Sequence, residues 1–159
     1  MQYVPINVKS QSNYLATQTS GNTVQFVDTT GTSRNWYNSA DNLRPFNPKT
    51  FGSDISEGDT SSNMYCKASS TSAITSTYYT PTNTVGTTTI KYTTSSKGWN
   101  AIITVSGTEG AEINSLLFIK QIKYSSSASA DAIMFAVILD NPVTIDSSGT
   151  ANFTFGIEF

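Results

Sequence analysis

The sequence predicts an all-β protein: an antiparallel β-sandwich of the jelly-roll or immunoglobulin-like type with an irregular N-terminal arm. Only 13% of its 159 residues are charged, so neutral polar side chains must cover the surface. Threonine, serine and asparagine fill that role, and these residues suit strands and turns. Strong helix formers are scarce, and strand-like segments recur about every ten residues in the second part of the chain.

The second part of the chain, residues 61–159, is predicted to be the sandwich domain. Its predicted strands are residues 64–68, 73–80, 87–93, 99–105, 116–124, 133–139 and 152–159. The last strand has the clearest period of two, because Phe153, Phe155 and Ile157 alternate with small or polar residues. Turn-forming segments separate most strands. Residues 109–115 could form one helical turn.

Residues 1–60 are predicted to be an extended, irregular region that makes assembly contacts. Only residues 3–8 and 23–28 have a strand pattern there, and isolated aromatic residues are frequent. Such a segment lowers its free energy by packing its apolar groups against another surface. An irregular first half of the same sandwich is an equally good interpretation. The predicted partner-binding residues are Tyr3, Val4, Trp36, Tyr37, Phe46 and Phe51.

The composition argues against an enzyme. The chain has no histidine, which excludes Ser-His-Asp and Cys-His catalytic sets and the common zinc sites. It also lacks a Walker loop and a G-x-G-x-x-G motif. A glycosidase needs only two carboxylates. Most of the carboxylates lie in turn-like segments, where Asp usually bonds the backbone, among them Asp28, Asp41, Asp140 and Asp146. We predict no catalytic residues and no cofactor.

Three other features have a structural and a functional interpretation. The single cysteine, Cys66, is expected to be a small half-buried strand residue, since no histidine is present to activate it. The acidic segment at residues 54–59 lacks the spacing of an EF-hand, so we expect a solvated loop and no metal site. The aromatic residues at 36–37 and 78–79 could stack on sugars, but interface or core anchors are favoured.

Charge and hydropathy bear on partners and location. The nine Lys and Arg residues are scattered singly, which argues against nucleic-acid binding. The longest apolar run, residues 133–139, is too short to span a bilayer, so no membrane contact is predicted. Residues 1–5 have no features of a secretory signal. We therefore expect a protein that is made in a cytosol but has the composition of a surface-exposed adhesive or shell protein. This combination is typical of a viral structural protein.

Residues 97–159 resemble small accessory virion proteins of tailed bacteriophages, of the capsid decoration (cement) or head-fibre kind. The resemblance lies in residues 99–105, 113–118 and 140–145, then Gly149 and Thr150, and the closing strand. The family's E-I-G-L segment is replaced by residues 114–117, Asn-Ser-Leu-Leu. The motifs are those of a fold and not of a catalytic site.

This resemblance implies a non-enzymatic virion protein that is made in the host cytoplasm. The favoured function is decoration and stabilisation of a phage capsid through contacts with the major capsid protein or another virion protein. A homo-oligomer, dimer or trimer, is expected. The alternative is a receptor- or glycan-binding domain of a head or tail fibre. A cellular carbohydrate-binding or adhesin module is disfavoured, because the sequence has no signal peptide.

Overall fold

The computed structural model describes residues 3–4, 11–12, 16–18, 24–35, 64–71, 83–95 and 98–158. These residues form eleven strands and no helix, which confirms the prediction of an all-β protein. No helix in this part of the chain is long and apolar enough to cross a membrane. The strands are β1 (Tyr3–Val4), β2 (Gln11–Ser12), β3 (Ala16–Gln18), β4 (Val24–Val27), β5 (Ser33–Asn35), β6 (Met64–Ser69), β7 (Thr87–Ser95), β8 (Gly98–Ser106), β9 (Glu112–Lys123), β10 (Ser129–Thr144) and β11 (Thr150–Glu158).

The strands form three sheets. The first sheet has the order β1-β11-β8-β7, the second has the order β2-β10-β9-β6, and the third has the order β3-β4-β5. Neighbouring strands pair in antiparallel fashion, except that β1 runs parallel to β11. The two four-stranded sheets consist mainly of antiparallel ladders, of which β7–β8 and β9–β10 join strands that are consecutive in the sequence.

One hydrophobic core is shared by the first and second sheets. Within residues 101–105 of β8 and 151–155 of β11 every second side chain enters it, as the period of two predicts, and the residues between them face outward. Phe118 of β9 and Phe155 of β11 meet across this core, with ring centroids 5.1 Å apart. Aromatic pairs at this separation stabilise a core by more than the burial of their apolar area alone. The contact ties the centres of the two sheets together.

The second sheet also has buried apolar side chains on its other face. Leu117, Ile119, Ile133 and Ala136 form a second cluster, with the half-buried Tyr65 packed against it. The β9–β10 ladder shifts register between Ile133 and Phe135. A β-bulge reverses which residues face each side. Even-numbered Ala132 thus enters the shared core before the shift, whereas odd-numbered Val137 enters it afterwards.

The chain passes from the second sheet to the first at Gly86. Just before it, Thr84 bridges Ser69, and the Val85 N–H donates to the Ala68 carbonyl at 2.9 Å. Just after it, Thr87 pairs with Ser106 at the start of the β7–β8 ladder. Gly86 has a φ of +61°, a conformation that glycine adopts without steric cost. This residue forms the corner between the two sheets.

The predicted strands of the second part agree with β6, β7, β8, β9, β10 and β11, with longer bounds for most of them. The predicted strand at residues 73–80 lies outside the described residues. The helical turn proposed for residues 109–115 is wrong. A turn closes at residues 108–111, where the Ala111 N–H donates to the Thr108 carbonyl at 3.1 Å, and β9 already begins at Glu112. Ile113 is fully buried, so packing favours an extended strand there.

The first sixty residues contribute short strands to all three sheets. The predicted strand at residues 3–8 contains β1, which pairs with Asn152 and Phe153 of β11. The predicted strand at residues 23–28 contains β4, the central strand of the third sheet. β2 pairs with Phe135 and Ala136 of β10. The proposed division of the chain near residue 60 stays a prediction.

Candidate functional site

The described carboxylates act mainly as hydrogen-bond acceptors that hold turns and strands. Asp146 accepts hydrogen bonds from the backbone and hydroxyl of Ser148 in the turn before β11, and these bonds lower the pKa of its carboxyl. Asp131 of β10 accepts the Tyr65 hydroxyl at 2.6 Å. Glu112 accepts a bond of 3.1 Å from the Asn114 amide. These carboxylate oxygens accept hydrogen bonds from neighbouring residues and so stabilise local structure.

Asp28 is the most buried of these carboxylates, with 1% of its surface exposed. It lies in the tight turn of the β4–β5 hairpin, residues 24–35. One oxygen accepts the Thr30 N–H at 2.9 Å, the Thr30 hydroxyl at 2.5 Å and the Thr32 N–H at 3.0 Å. The other oxygen accepts Arg34 Nε at 2.6 Å. Burial alone would raise the pKa of Asp28, but these bonds outweigh it and lower the pKa to about 2.

The same hairpin contacts the β9–β10 hairpin of the second sheet. The Thr29 N–H donates to the backbone carbonyl of Asp131 at 2.8 Å. The Arg34 guanidinium lies over the Tyr124 ring, with Cζ 4.0 Å from the ring centroid. A guanidinium at this distance is attracted by the negative face of the aromatic ring. The third sheet is thereby attached to the second at two points.

Cys66 cannot serve as a nucleophile in this environment. Its side chain is 2% exposed and lies in the shared core. Burial raises the pKa of the thiol, although a backbone hydrogen bond with Leu117 opposes the shift. A buried neutral thiol is unreactive, because the thiolate is the attacking form. The residue packs as a small apolar side chain, more deeply than the half-buried position predicted from the sequence.

A cavity of about 270 Å³ lies between β6 and the start of β7. An isolated bridge between Ser69 and Thr84 joins the end of β6 to the segment before β7, and Thr84 also lines the cavity. Among the residues that line it, Lys67 carries the only charge. The lining residues are Tyr65, Cys66, Lys67, Ala68, Thr84, Gly86, Thr87 and Thr88. This lining holds no carboxylate.

The outer face of the first sheet is polar. Lys91, Ile102 and Thr154 lie side by side on β7, β8 and β11, and Ile102 is 39% exposed. In the next row the Thr104 hydroxyl donates to the Asn152 amide oxygen at 3.0 Å. This face offers hydroxyl and amide groups around one exposed apolar side chain.

The predicted partner-binding residues are only partly within the described chain. Tyr3 and Val4 form β1 and lie beside the closing strand β11. Trp36, Tyr37, Phe46 and Phe51 lie outside the described residues, as does the acidic segment at 54–59. No cluster of three or more metal-ligating side chains occurs in the part of the chain that the structure describes.

Sequence reasoning missed the contact between Arg34 and Tyr124. The two residues are far apart in the sequence, and neither belongs to a motif. The segment at residues 28–32 did carry a signal for the hairpin turn, since Asp28 and Gly31 are residue types that are common in turns. Nothing in the sequence indicated which surface that turn contacts.

Comparisons of the chain with models of protein families, with curated proteins and with solved structures found no match.

Proposed function

We propose that this chain is a non-enzymatic structural protein of a phage particle, which decorates and stabilises the capsid through protein–protein contacts. The resemblance of residues 97–159 to small accessory virion proteins supports this proposal. Those residues form β8, β9, β10 and β11, which supply most of the shared core. The segment with the resemblance is therefore the centre of the fold.

The observation that supports the non-enzymatic part of the proposal is that several chemically active side chains, among the residues that the structure describes, are engaged in structural contacts. Asp28 and Asp131 hold a hairpin and two strands, and Cys66 is buried in the core. Catalysis needs groups that are free to exchange protons or attack a substrate. The engagement of these groups in structural contacts therefore favours a function in binding over a function in catalysis.

The contact surface is proposed to lie in the first sixty residues, at Tyr3, Val4, Trp36, Tyr37, Phe46 and Phe51. A standard specific interface buries about 800 Å² on each partner, and six such side chains can supply much of it. The partner is the major capsid protein or another virion protein. We also propose a homo-oligomer, dimer or trimer, and a sandwich of jelly-roll or immunoglobulin-like type.

Binding to purified capsids tests this function. Full-length protein should co-sediment with capsids and raise their melting temperature, whereas a variant lacking residues 1–20 should bind more weakly while remaining folded. A variant with Lys123→Ala, which changes an exposed charge on β9, serves as the control. Equal binding by the truncated and full-length proteins would contradict a contact role for Tyr3 and Val4. Failure of the full-length protein to bind any particle component would contradict the function.

The alternative is a receptor- or glycan-binding domain of a head or tail fibre. The polar outer face of the first sheet favours it, because threonine hydroxyls and the Asn152 amide match the hydrogen-bonding groups of sugars. A glycan array separates the two functions. Specific glycan binding that is lost in a Thr104→Val variant would favour the fibre domain.

A further inference from the structure

We propose that the outer edge of β6 binds an extended, acidic peptide segment of a partner protein, which adds to the second sheet as one more strand. The site would serve the proposed function, on which the identity of its partner rests. Among the strands that the structure describes, β6 is the last of the second sheet and β7 is the last of the first sheet. The cavity of about 270 Å³ lies between these two strands.

The chain itself shows how a segment can pair with this edge. Ser69 of β6 forms an antiparallel bridge with Thr84, and the Val85 N–H donates to the Ala68 carbonyl at 2.9 Å. Gly86, with a φ of +61°, then turns the chain toward the first sheet. The lining of the cavity continues along β6 from residue 68 back to residue 65. The cavity therefore extends the same edge beyond the point where the chain leaves it.

Backbone groups of β6 point toward this cavity. The Ala68 carbonyl is directed to the outer edge, away from β9, because it accepts the bond from Val85. In an antiparallel strand both backbone groups of a residue point to the same side, and successive residues alternate. The β6–β9 ladder runs without a register shift over residues 64–69, so the alternation holds. The N–H and C=O of Cys66 therefore point toward the cavity, whereas those of Lys67 point toward β9.

The side chains around the cavity favour an acidic partner. Among the residues that line it, the exposed Lys67 carries the only charge. A lysine on an edge strand discourages pairing with unrelated strands. A strand with a carboxylate opposite Lys67 gains an ion pair instead, so the lysine selects one class of partner and repels basic ones. The hydroxyls of Thr84, Thr87 and Thr88 offer hydrogen bonds on the other side of the cavity.

The dimensions of the site suit a peptide better than a small molecule. Its volume lies below the range of about 300–1,000 Å³ that is typical of small-molecule sites. Residues 65–68 of β6 all line it, and four residues of a strand span about 13 Å. An extended segment can bond to the whole of that edge. In such strand addition the backbone hydrogen bonds provide the affinity, and the neighbouring side chains provide the specificity.

Binding of three blocked peptides to the full chain tests the site. Each has about eight residues of alternating threonine and valine, with aspartate, asparagine or lysine at the same central position. In fluorescence anisotropy the aspartate peptide should bind about fivefold more tightly than the lysine peptide, because the first pairing is attractive and the second is repulsive. Lys67→Gln should remove this difference. Lys123→Gln, which changes an exposed cation on β9, should keep it.

Hydrogen exchange shows where the peptide binds. In the free chain the Cys66 amide should exchange faster than the Lys67 amide, which faces β9. The aspartate peptide should slow exchange at Cys66 about tenfold and leave Lys67 unchanged, a result that simple attraction to the Lys67 side chain would not give.

Absence of binding by all three peptides, equal affinities for them in the wild-type chain, or binding without protection of Cys66 would overturn the inference. Capsid binding by a chain that fails these peptide tests would leave the proposed function supported. The expected peptide binding by a chain that does not bind capsids would support the edge site and contradict the proposed function.

Discussion

Replacement of Gly86 by alanine should disrupt the corner at which the chain changes sheets. An alanine Cβ at this position would lie 2.2 Å from the Ser106 carbonyl oxygen and 3.3 Å from the Gly107 Cα. Both atoms belong to the backbone, so neither can move as a side-chain end would. The substitution must either push β7 away from β8 at the Thr87–Ser106 pair or move the corner.

The cost has two parts. A left-handed φ of +61° costs an alanine about 1–2 kcal/mol. Separating the two backbones loses about two hydrogen bonds, each worth about 1 kcal/mol. The free energy of unfolding should therefore fall by about 3–4 kcal/mol, which for a chain of this size lowers the melting temperature by about 10 °C.

The matched control is Gly110→Ala. Gly110 has a φ of +87°, but a Cβ there would meet no atom within 4 Å. Only the conformational part of the cost applies, so the loss should be about 1–2 kcal/mol. Urea unfolding followed by circular dichroism gives both values. Equal destabilisation by the two variants would refute the argument that the close approach to Ser106 makes Gly86 necessary.

Three further predictions test the core, the hairpin and the thiol. Phe155 is 3% exposed, so Phe155→Asp should bury an unpaired charge and prevent folding. Thr154→Asp, on the exposed side of the same strand, should be tolerated. An unchanged melting temperature of Phe155→Asp would contradict the placement of β11. The pKa of Asp28 is lowered from 3.8 to about 2 in the folded protein, so its stabilisation is complete above about pH 4 and is lost as the pH falls toward 2. As the pH falls across that range, the free energy of unfolding should decrease by about 1–2 kcal/mol because of this group. The Asp28→Asn variant should lack that part of the pH dependence. An identical pH profile for the variant would contradict the assignment. Because Cys66 is buried, a thiol reagent should label it only in denaturant, and rapid labelling of the native protein would show that β6 is not held in place.

The strands of the first sheet could be predicted because alternation is typical of a sheet with one buried face. β8 and β11 show it most clearly, since Ile103, Val105 and Phe153 are buried and the residues between them are not. The bounds of β10 could not be predicted in the same way. It runs from Ser129 to Thr144 and includes Pro142, which the sequence suggests as a turn. The β9–β10 ladder shifts between Ile138 and Val143, and such an irregularity tolerates a residue without an N–H.

The candidate site was harder to predict than the fold. Asp28 was correctly expected to bond the backbone of its own turn, because that interaction is local in sequence. The contacts of Thr29 with Asp131 and of Arg34 with Tyr124 depend on how two hairpins meet. No period or motif encodes that distance. The same limit applies to the cavity beside β6, whose walls come from separate parts of the chain.

The two sheets differ in what they can offer to a partner, and one sequence feature accounts for the difference. Residues 116–119 of β9 are four consecutive apolar residues, and all four are buried. A continuous apolar run is typical of a strand covered on both faces. The outer face of the second sheet is therefore not open to solvent at Leu117, Ile119, Ile133 and Ala136, since these four side chains are buried. The alternating strands β8 and β11 instead leave the outer face of the first sheet polar and exposed. Among the described residues, it is the outer face of the first sheet that has exposed side chains, so we expect a partner that docks on the face of a four-stranded sheet to meet the first sheet.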